Sequence, residues 1–225
     1  MRLASLFTGG KDSTYATRLA AEGGDEVTSL ATIHPRSEES WMFHTVNIHL
    51  AGMVAEALGI RHVAAPTGGE RELEGLKEML AGLDVEGVVT GAIASTYQKS
   101  RVDRVCGELG LEHVAPLWGR DGRALLGEMI EAGMVIVVTA VAAMGLDRRW
   151  LGRALDAQAM EELDELHGRF GVDVCGEGGE METLVLDAPW FRGRLEIARA
   201  RTLWDGVRGS YIVEEARLRP KGRDT

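Results

Sequence analysis

The chain has 225 residues, 45% of them hydrophobic and 27% charged, which is apolar mass enough for one large core or two small ones and excludes a disordered chain. Its formal net charge of −10 and pI near 5.1 disfavour an extended nucleic-acid surface, because neutralising phosphates needs clustered Lys and Arg. The longest apolar stretch, Met134 to Gly145, is too short to cross a bilayer, and no signal-peptide pattern precedes the first apolar run. Cys106 and Cys175 belong to no C-x-x-C pair, so a cytoplasmic protein with reduced thiols is expected.

Leu3, Ala4, Leu6 and Phe7 predict a strand near 2–7, and Tyr15, Ala16, Leu19 and Ala20 predict a helix near 12–23. Between them runs Thr8-Gly9-Gly10-Lys11-Asp12-Ser13. A strand that turns on two glycines into a helix N-terminus is an anion site, since the first helical N–H groups have no internal partner and carry the positive end of the dipole. Gly9 and Gly10 let the backbone come close to ligand oxygens, Lys11 adds a full charge, and Asp12 and Ser13 can cap the helix or face a phosphate-bound cation. Lysine occurs at only four positions (Lys11, Lys77, Lys99, Lys221), so its presence in this turn is informative. The loop is not a Walker A loop, because Ser5 replaces the first glycine and Asp12 the Ser/Thr after the lysine. No G-x-G-x-x-G is present there either, which removes the main support for a nicotinamide or flavin site.

Further strands are expected near 26–33, 61–65, 86–91 and 112–115, alternating with helices near 45–58, 70–82 and 95–109. In the 45–58 helix, Val46, Leu50, Met53, Val54, Ala57 and Leu58 form one face. This is the pattern of a doubly wound α/β domain with a mainly parallel sheet, spanning 1–118. Ligands in such sheets lie beyond the carboxyl ends of the strands, where Thr8 to Ser13, His34 to His44 and Gly91 to Ser95 should gather. Trp41, Met42, Phe43 and His44 read either as a pocket wall or as a hydrophobic staple for the next helix. Ser95 to Arg101 reads either as an N-capped amphipathic helix or as one aiming Tyr97, Gln98 and Arg101 at a nucleotide near Gly91.

After Pro116 the alternation weakens, and a second, smaller α/β domain is expected over 119–225. It comprises a helix carrying Leu125, Leu126, Met129 and Ile130, a buried strand at Val135 to Val141, a helix near 157–168, then short strands, with a frayed tail from Arg217 to Thr225. Gly176-Glu177-Gly178-Gly179-Glu180-Met181-Glu182-Thr183 gathers three carboxylates at a glycine-rich turn, which can bind a cation, hold a cationic substrate, deprotonate an amine, or stand simply as a solvated acidic turn. His34, His49, His62, His113 and His167 show no metal-ligand spacing and read as structural, and no G-x-S-x-G elbow supports an activated serine.

The loop Thr8 to Ser13 resembles the SGGxDS loop of the N-type ATP pyrophosphatases, with Thr8 for the usual serine. Together with Trp41 to Thr45, Gly91 to Arg101 and Gly176 to Asp187, it makes nearly the whole chain similar to the diphthine–ammonia ligases (diphthamide synthases) of that superfamily. The resemblance implies a Rossmann-like, adenine nucleotide alpha hydrolase-like fold and the ATP-dependent amidation of diphthine on translation elongation factor 2 with ammonium, yielding diphthamide, AMP and pyrophosphate through an acyl-adenylate. ATP and Mg²⁺ are then expected. The resemblance assigns ATP to Thr8, Gly9, Gly10, Lys11, Asp12, Ser13, His34, Gly91 and Ile93 in residues 1–118. It assigns substrate to Met42, Phe43, His44, Tyr97, Gln98, Arg101, Glu177, Gly178, Gly179, Glu180, Glu182 and Thr183, with 119–225 as the substrate domain and Lys11, Asp12, Glu180 and Glu182 as catalytic groups. Position 2 is Arg2, not the cysteine of glutamine-dependent amidating enzymes, so free ammonium or a partner protein is expected to supply nitrogen. No direct nucleic acid or membrane partner is expected, and a homodimer is compatible with the resemblance. The rivals are a tRNA-modifying enzyme with the same loop, disfavoured by the missing cysteine pairs and basic surface, and a regulatory protein that holds ATP without turnover.

Overall fold

The computed structural model describes residues 1–35, 46–67 and 72–222. By contact density the chain divides into two compact units, Met1–Ala55 with Ile60–Gly119, and Glu56–Gly59 with Arg120–Thr225.

In the first unit, β1 (Arg2–Leu6), β2 (Glu26–Pro35), β3 (Arg61–Thr67), β4 (Gly87–Val89) and β5 (Glu112–Val114) form one parallel sheet of order β3-β2-β1-β4-β5. Helices α1 (Lys11–Glu22), α2 (Ala51–Leu58), α3 (Glu72–Ala81) and α4 (Thr96–Leu109) connect the strands. Successive side chains of a strand point to opposite faces, and β1 shows both faces covered. Ala4 joins a buried cluster with Leu76, Met79 and Leu80 of α3 and Val102, Val105 and Cys106 of α4. Ser5, on the other face, is hydrogen-bonded at 2.8 Å to Thr17 of α1. The sheet is therefore doubly wound, and its order reverses at the β1/β4 junction, where such folds place their ligands.

The expected 45–58 helix is shorter. Asn47 has φ 61, a left-handed value that an α-helix cannot continue through, so one 3₁₀ turn (Ile48–Leu50) precedes α2. Leu50, Val54, Ala57 and Leu58 of the expected face are buried.

The second unit carries an antiparallel sheet of order β7-β6-β9-β8, built from β6 (Val135–Val141), β7 (Met181–Asp187), β8 (Gly193–Trp204) and β9 (Gly209–Pro220). Helices α5 (Gly122–Glu131) and α6 (Ala157–Phe170) contribute Leu125, Leu126, Met129, Ala159 and Leu163 to its core. Two expectations need correction. The last strands are long, pairing from Gly193↔Pro220 to Trp204↔Gly209, and the segment expected to fray runs as far as Pro220 within β9. Arg219 there binds Glu196 across the hairpin at 2.9 Å, and Lys221 Nζ donates to the Ala188 carbonyl at 2.6 Å.

Candidate active site

At the carboxyl end of β1 the chain turns as expected. Gly9 takes φ 79, left-handed and favoured by glycine, and Gly10 is the N-cap of α1 with no side chain to occupy the helix end. The neighbouring hydroxyls shape the loop. Thr8 Oγ1 accepts from the Gly10 N–H at 3.3 Å, and Ser13 Oγ lies 3.3 Å from both Thr8 N and Thr8 Oγ1 and donates to the Gly10 carbonyl at 3.2 Å. Lys11 is 2% exposed, its ammonium held by both Asp12 carboxylate oxygens at 2.9 and 2.8 Å. The cation is thus stored beside the helix N-terminus, on a carboxylate that is itself 29% exposed.

Gly91 explains the join to β4. A Cβ built on it falls 2.7 Å from the Asp12 carbonyl carbon and 2.7 Å from Ser13 N, so its Cα packs directly on the first peptide groups of α1. Ile93 is buried two residues on, and its carbonyl accepts from Gly119 N at 2.8 Å. Ser95 caps α4 by accepting from Gln98 N at 3.3 Å. On the exposed first turns of that helix, the Arg101 guanidinium lies 3.3 Å from the Tyr97 ring centroid, so those two side chains occupy each other. His34 stands half-buried near the end of β2.

In the second unit the acidic turn is ordered by Asp173, a residue with no conspicuous sequence signal. Its Oδ1 accepts from Cys175 N at 2.9 Å and Glu177 N at 3.1 Å. Gly176 and Gly179 both have positive φ, and Gly179 N donates to the Gly176 carbonyl at 3.1 Å. Glu180 folds back over the turn: a Cβ at Gly178 would lie 2.8 Å from Glu180 Oε1, which also accepts from Asp173 N at 3.4 Å. Glu180 Oε2 is buried with no hydrogen-bond partner among the described residues, an acceptor poised for a donor. Glu182 and Thr183 lie in β7 opposite Ala140 and Val138 of β6, while Met181 is buried against Gly176.

Residues 1–113 match the model of the diphthamide synthase N-terminal domain, and residues 121–218 that of the diphthamide synthase C-terminal domain. The chain belongs to the diphthamide synthase family. A diphthine–ammonia ligase of Danio rerio is 36% identical over 228 residues, covering 90% of this chain and 89% of that one. One of Homo sapiens is 38% identical over 221 residues, covering 87% and 82%. Among solved structures, a "predicted subunit of tRNA methyltransferase" from Methanocaldococcus jannaschii aligns at TM-score 0.46 and 16% identity over 84% of this chain and 98% of that one, a likeness too loose to bear on function.

In this diphthamide synthase family chain, the first unit gathers Thr8, Gly9, Gly10, Lys11, Asp12, Ser13 and Gly91 in one constellation, and the second gathers Glu177, Gly178, Gly179 and Glu180 at one turn. Met42, Phe43 and His44 lie outside the described residues. Sequence reading missed two half-buried imidazole–threonine pairs. His62 Nε2 lies 2.8 Å from Thr32 Oγ1, and His113 Nε2 lies 2.8 Å from Thr90 Oγ1. Burial, and then the field of His34, lowers the His62 pKa below its ordinary value. Lys99 and then His113 hold the Asp103 carboxyl below the usual carboxylate range. No helix of the described residues is long and apolar enough to cross a membrane.

Proposed function

We propose that this chain catalyses the ATP-dependent amidation of diphthine on translation elongation factor 2, with ammonium as nitrogen source. The observation that carries the reading is the Thr8–Ser13 loop, packed against Gly91 at the β1/β4 junction of a chain in the diphthamide synthase family. In the first step a diphthine carboxylate oxygen attacks the α-phosphorus of ATP, the α–β anhydride bond breaks and pyrophosphate leaves. The loop amides and Lys11 stabilise the charge that develops on the departing group, the ammonium exchanging Asp12 for phosphate oxygen. In the second step ammonia attacks the acyl carbon, the bond to the adenylate oxygen breaks and AMP leaves. Glu180 or Glu182 takes the proton that the attacking nitrogen must lose, and the acidic turn suits the trimethylammonium group of diphthine.

A Mg²⁺ ion fits this donor set. Among the described residues no three His, Cys, Asp or Glu side chains form a metal cluster, and Mg²⁺ is commonly held by one or two carboxylates plus substrate phosphates and water. Asp12 would hold it, and when bound it would neutralise charge on the phosphates.

The test is to incubate the full chain with ATP, Mg²⁺, ammonium and diphthine-bearing elongation factor 2. AMP should form in step with the small mass loss that replacing a hydroxyl by an amino group brings to the factor. An inert mixture would leave the non-catalytic ATP-binding reading. Glu180→Gln should slow amidation while ATP binding persists; undiminished amidation would remove Glu180 from the mechanism.

A further inference from the structure

The two imidazole–threonine pairs occupy equivalent places. His62 of β3 stands opposite Leu30 of β2 and reaches Thr32, two residues further on; His113 of β5 stands opposite Val88 of β4 and reaches Thr90, again two residues further on. Two residues along a strand returns to the same face, so each outer strand contacts its inner neighbour diagonally, toward the carboxyl end. The inner neighbours, β2 and β4, flank β1, which leads into the Thr8–Ser13 loop.

The hydrogen-bond directions differ on the two sides. Thr32 Oγ1 donates to the Phe7 carbonyl at 2.7 Å, so its oxygen accepts from His62 Nε2–H. That chain ends on the residue before Thr8. On the other side, His113 Nδ1 lies 2.6 Å from Asp103 Oδ1, and a carboxylate can only accept, so Nδ1 carries the proton. With a single ring proton, on Nδ1, Nε2 is the acceptor and the Thr90 hydroxyl its donor. Asp103 is fixed in turn by Lys99 Nζ at 2.8 Å, and Lys99 lies over the Trp118 ring, 5.5 Å from its centroid. The Thr90 N–H also donates to the Val114 carbonyl at 3.0 Å, so backbone and side chain of Thr90 are both tied to β5. The next residue is Gly91, whose Cα packs on the Asp12–Ser13 peptide.

We propose that Thr90, held by His113 and Asp103, is a positioning residue for the nucleotide loop: it fixes the height at which Gly91 meets the first turn of α1 and hence the aim of the amides there. Thr32, held by His62, does the same for Phe7 on the opposite shoulder. A polar network with its hydrogen bonds satisfied specifies one geometry where apolar residues of similar volume would fill the space with less directional constraint. The inference rests on the loop being the ATP site, as proposed above.

Mg-ATP affinity of the full chain, measured by calorimetry, tests it. Thr90→Val keeps the β-branched shape and removes the hydroxyl; Asp103→Asn removes the charge at a side chain 44% exposed, so folding is spared even if the first variant suffers. Both should weaken ATP binding about fivefold to tenfold, the order of one neutral hydrogen bond, with circular dichroism unchanged. Thr90→Ser, which retains the hydroxyl, should restore affinity to within about twofold. If the wild type binds ATP and both variants bind equally tightly, the positioning role is wrong and the ATP reading stands; if the wild type binds none, both fall. Nitrogen-15 NMR of the unliganded chain gives an independent check, since His113 should carry its proton on Nδ1 and His62 on Nε2. The opposite tautomer at His113, or a doubly protonated ring there, overturns the proposal.

Discussion

Gly91→Ala is the sharpest perturbation of the proposed nucleotide loop that leaves every chemical group in place. The added methyl would lie 2.7 Å from the Asp12 carbonyl carbon, 2.7 Å from Ser13 N and 2.9 Å from Asp12 O. All three are backbone atoms, so no flexible side chain can swing aside. Carbon contacts settle near 3.5 Å, so the strand end and the helix must separate by roughly 0.8 Å. Overpacking of this kind costs about 1–3 kcal/mol, and in a chain of this size each kcal/mol lowers the unfolding midpoint by roughly 2–4 °C. The catalytic cost is larger in proportion, because a misplacement approaching 1 Å at a phosphate-positioning turn lowers turnover about a hundredfold. Gly107→Ala and Gly168→Ala serve as controls: both glycines lie inside helices, nothing stands within 4 Å of an added Cβ, and alanine there should stabilise by up to about 1 kcal/mol without touching turnover. Thermal unfolding and pyrophosphate release would be followed for all three variants. A Gly91→Ala protein that releases pyrophosphate at the wild-type rate would refute the claim that this contact sets the loop.

Lys11→Met keeps the buried stem and removes the ammonium. Pyrophosphate release should fall about a hundredfold, on the order of 3 kcal/mol of barrier, while stability drops by only about 1 kcal/mol because the Asp12 carboxylate reaches water; denaturant titration beside a turnover assay separates the two. His62 has a folded-state pKa below its ordinary 6.5, so the unfolded chain takes up the proton first. Its contribution to stability is full above that value and is lost as pH falls through it toward the folded pKa; urea titrations across this range should show a slope that His62→Gln flattens. Burial pushes the Cys106 thiol up to about 11, so at neutral pH it should resist alkylation in the folded chain and react once the chain unfolds, read by mass spectrometry.

The Thr8–Ser13 loop was legible because its signal is local. An apolar run, two glycines, a lysine and a helical period occupy consecutive positions, and β1, the turn and α1 follow them closely. The parallel strands and the buried β6 were legible for the same reason. The β8–β9 hairpin was not. Its strands alternate Arg and Glu with few buried residues, chiefly Leu195 and Val213, so apolar patterning understates them. The usable signal was the turn, where Asp205 Oδ1 accepts from Val207 N at 2.8 Å and Arg208 N at 2.7 Å and Gly206 takes φ 106. Asp173 escaped notice because an aspartate that organises a turn looks like any other surface acid until its acceptors are placed.

The histidines, read from the sequence only as structural, show what one dimension cannot hold. His62 and His113 lie on outer strands, and their partners Thr32 and Thr90 are thirty and twenty-three positions away, so no spacing rule links them. What unites them is a feature of composition in space. Among the described residues, the buried polar side chains belong almost entirely to the first unit: Thr139 is the exception, Ser29 lies within β2 and Asn47 before α2, and the other seven, Ser5, Lys11, Ser13, Thr14, Thr17, Thr32 and Thr90, lie on β1, on α1 or beside the carboxyl ends of β2 and β4. Ser5 donates to Thr17, Thr17 to the Ser13 carbonyl at 2.7 Å, and Thr32 to the Phe7 carbonyl, so the hydroxyls fasten the loop from below as the imidazoles fasten it from the sides. A core chosen for stability alone would be apolar there, since buried polar groups contribute little net free energy even when paired. Their concentration under one turn follows if that end of the sheet is selected for the placement of backbone amides, which directional bonds fix and dispersion contacts do not.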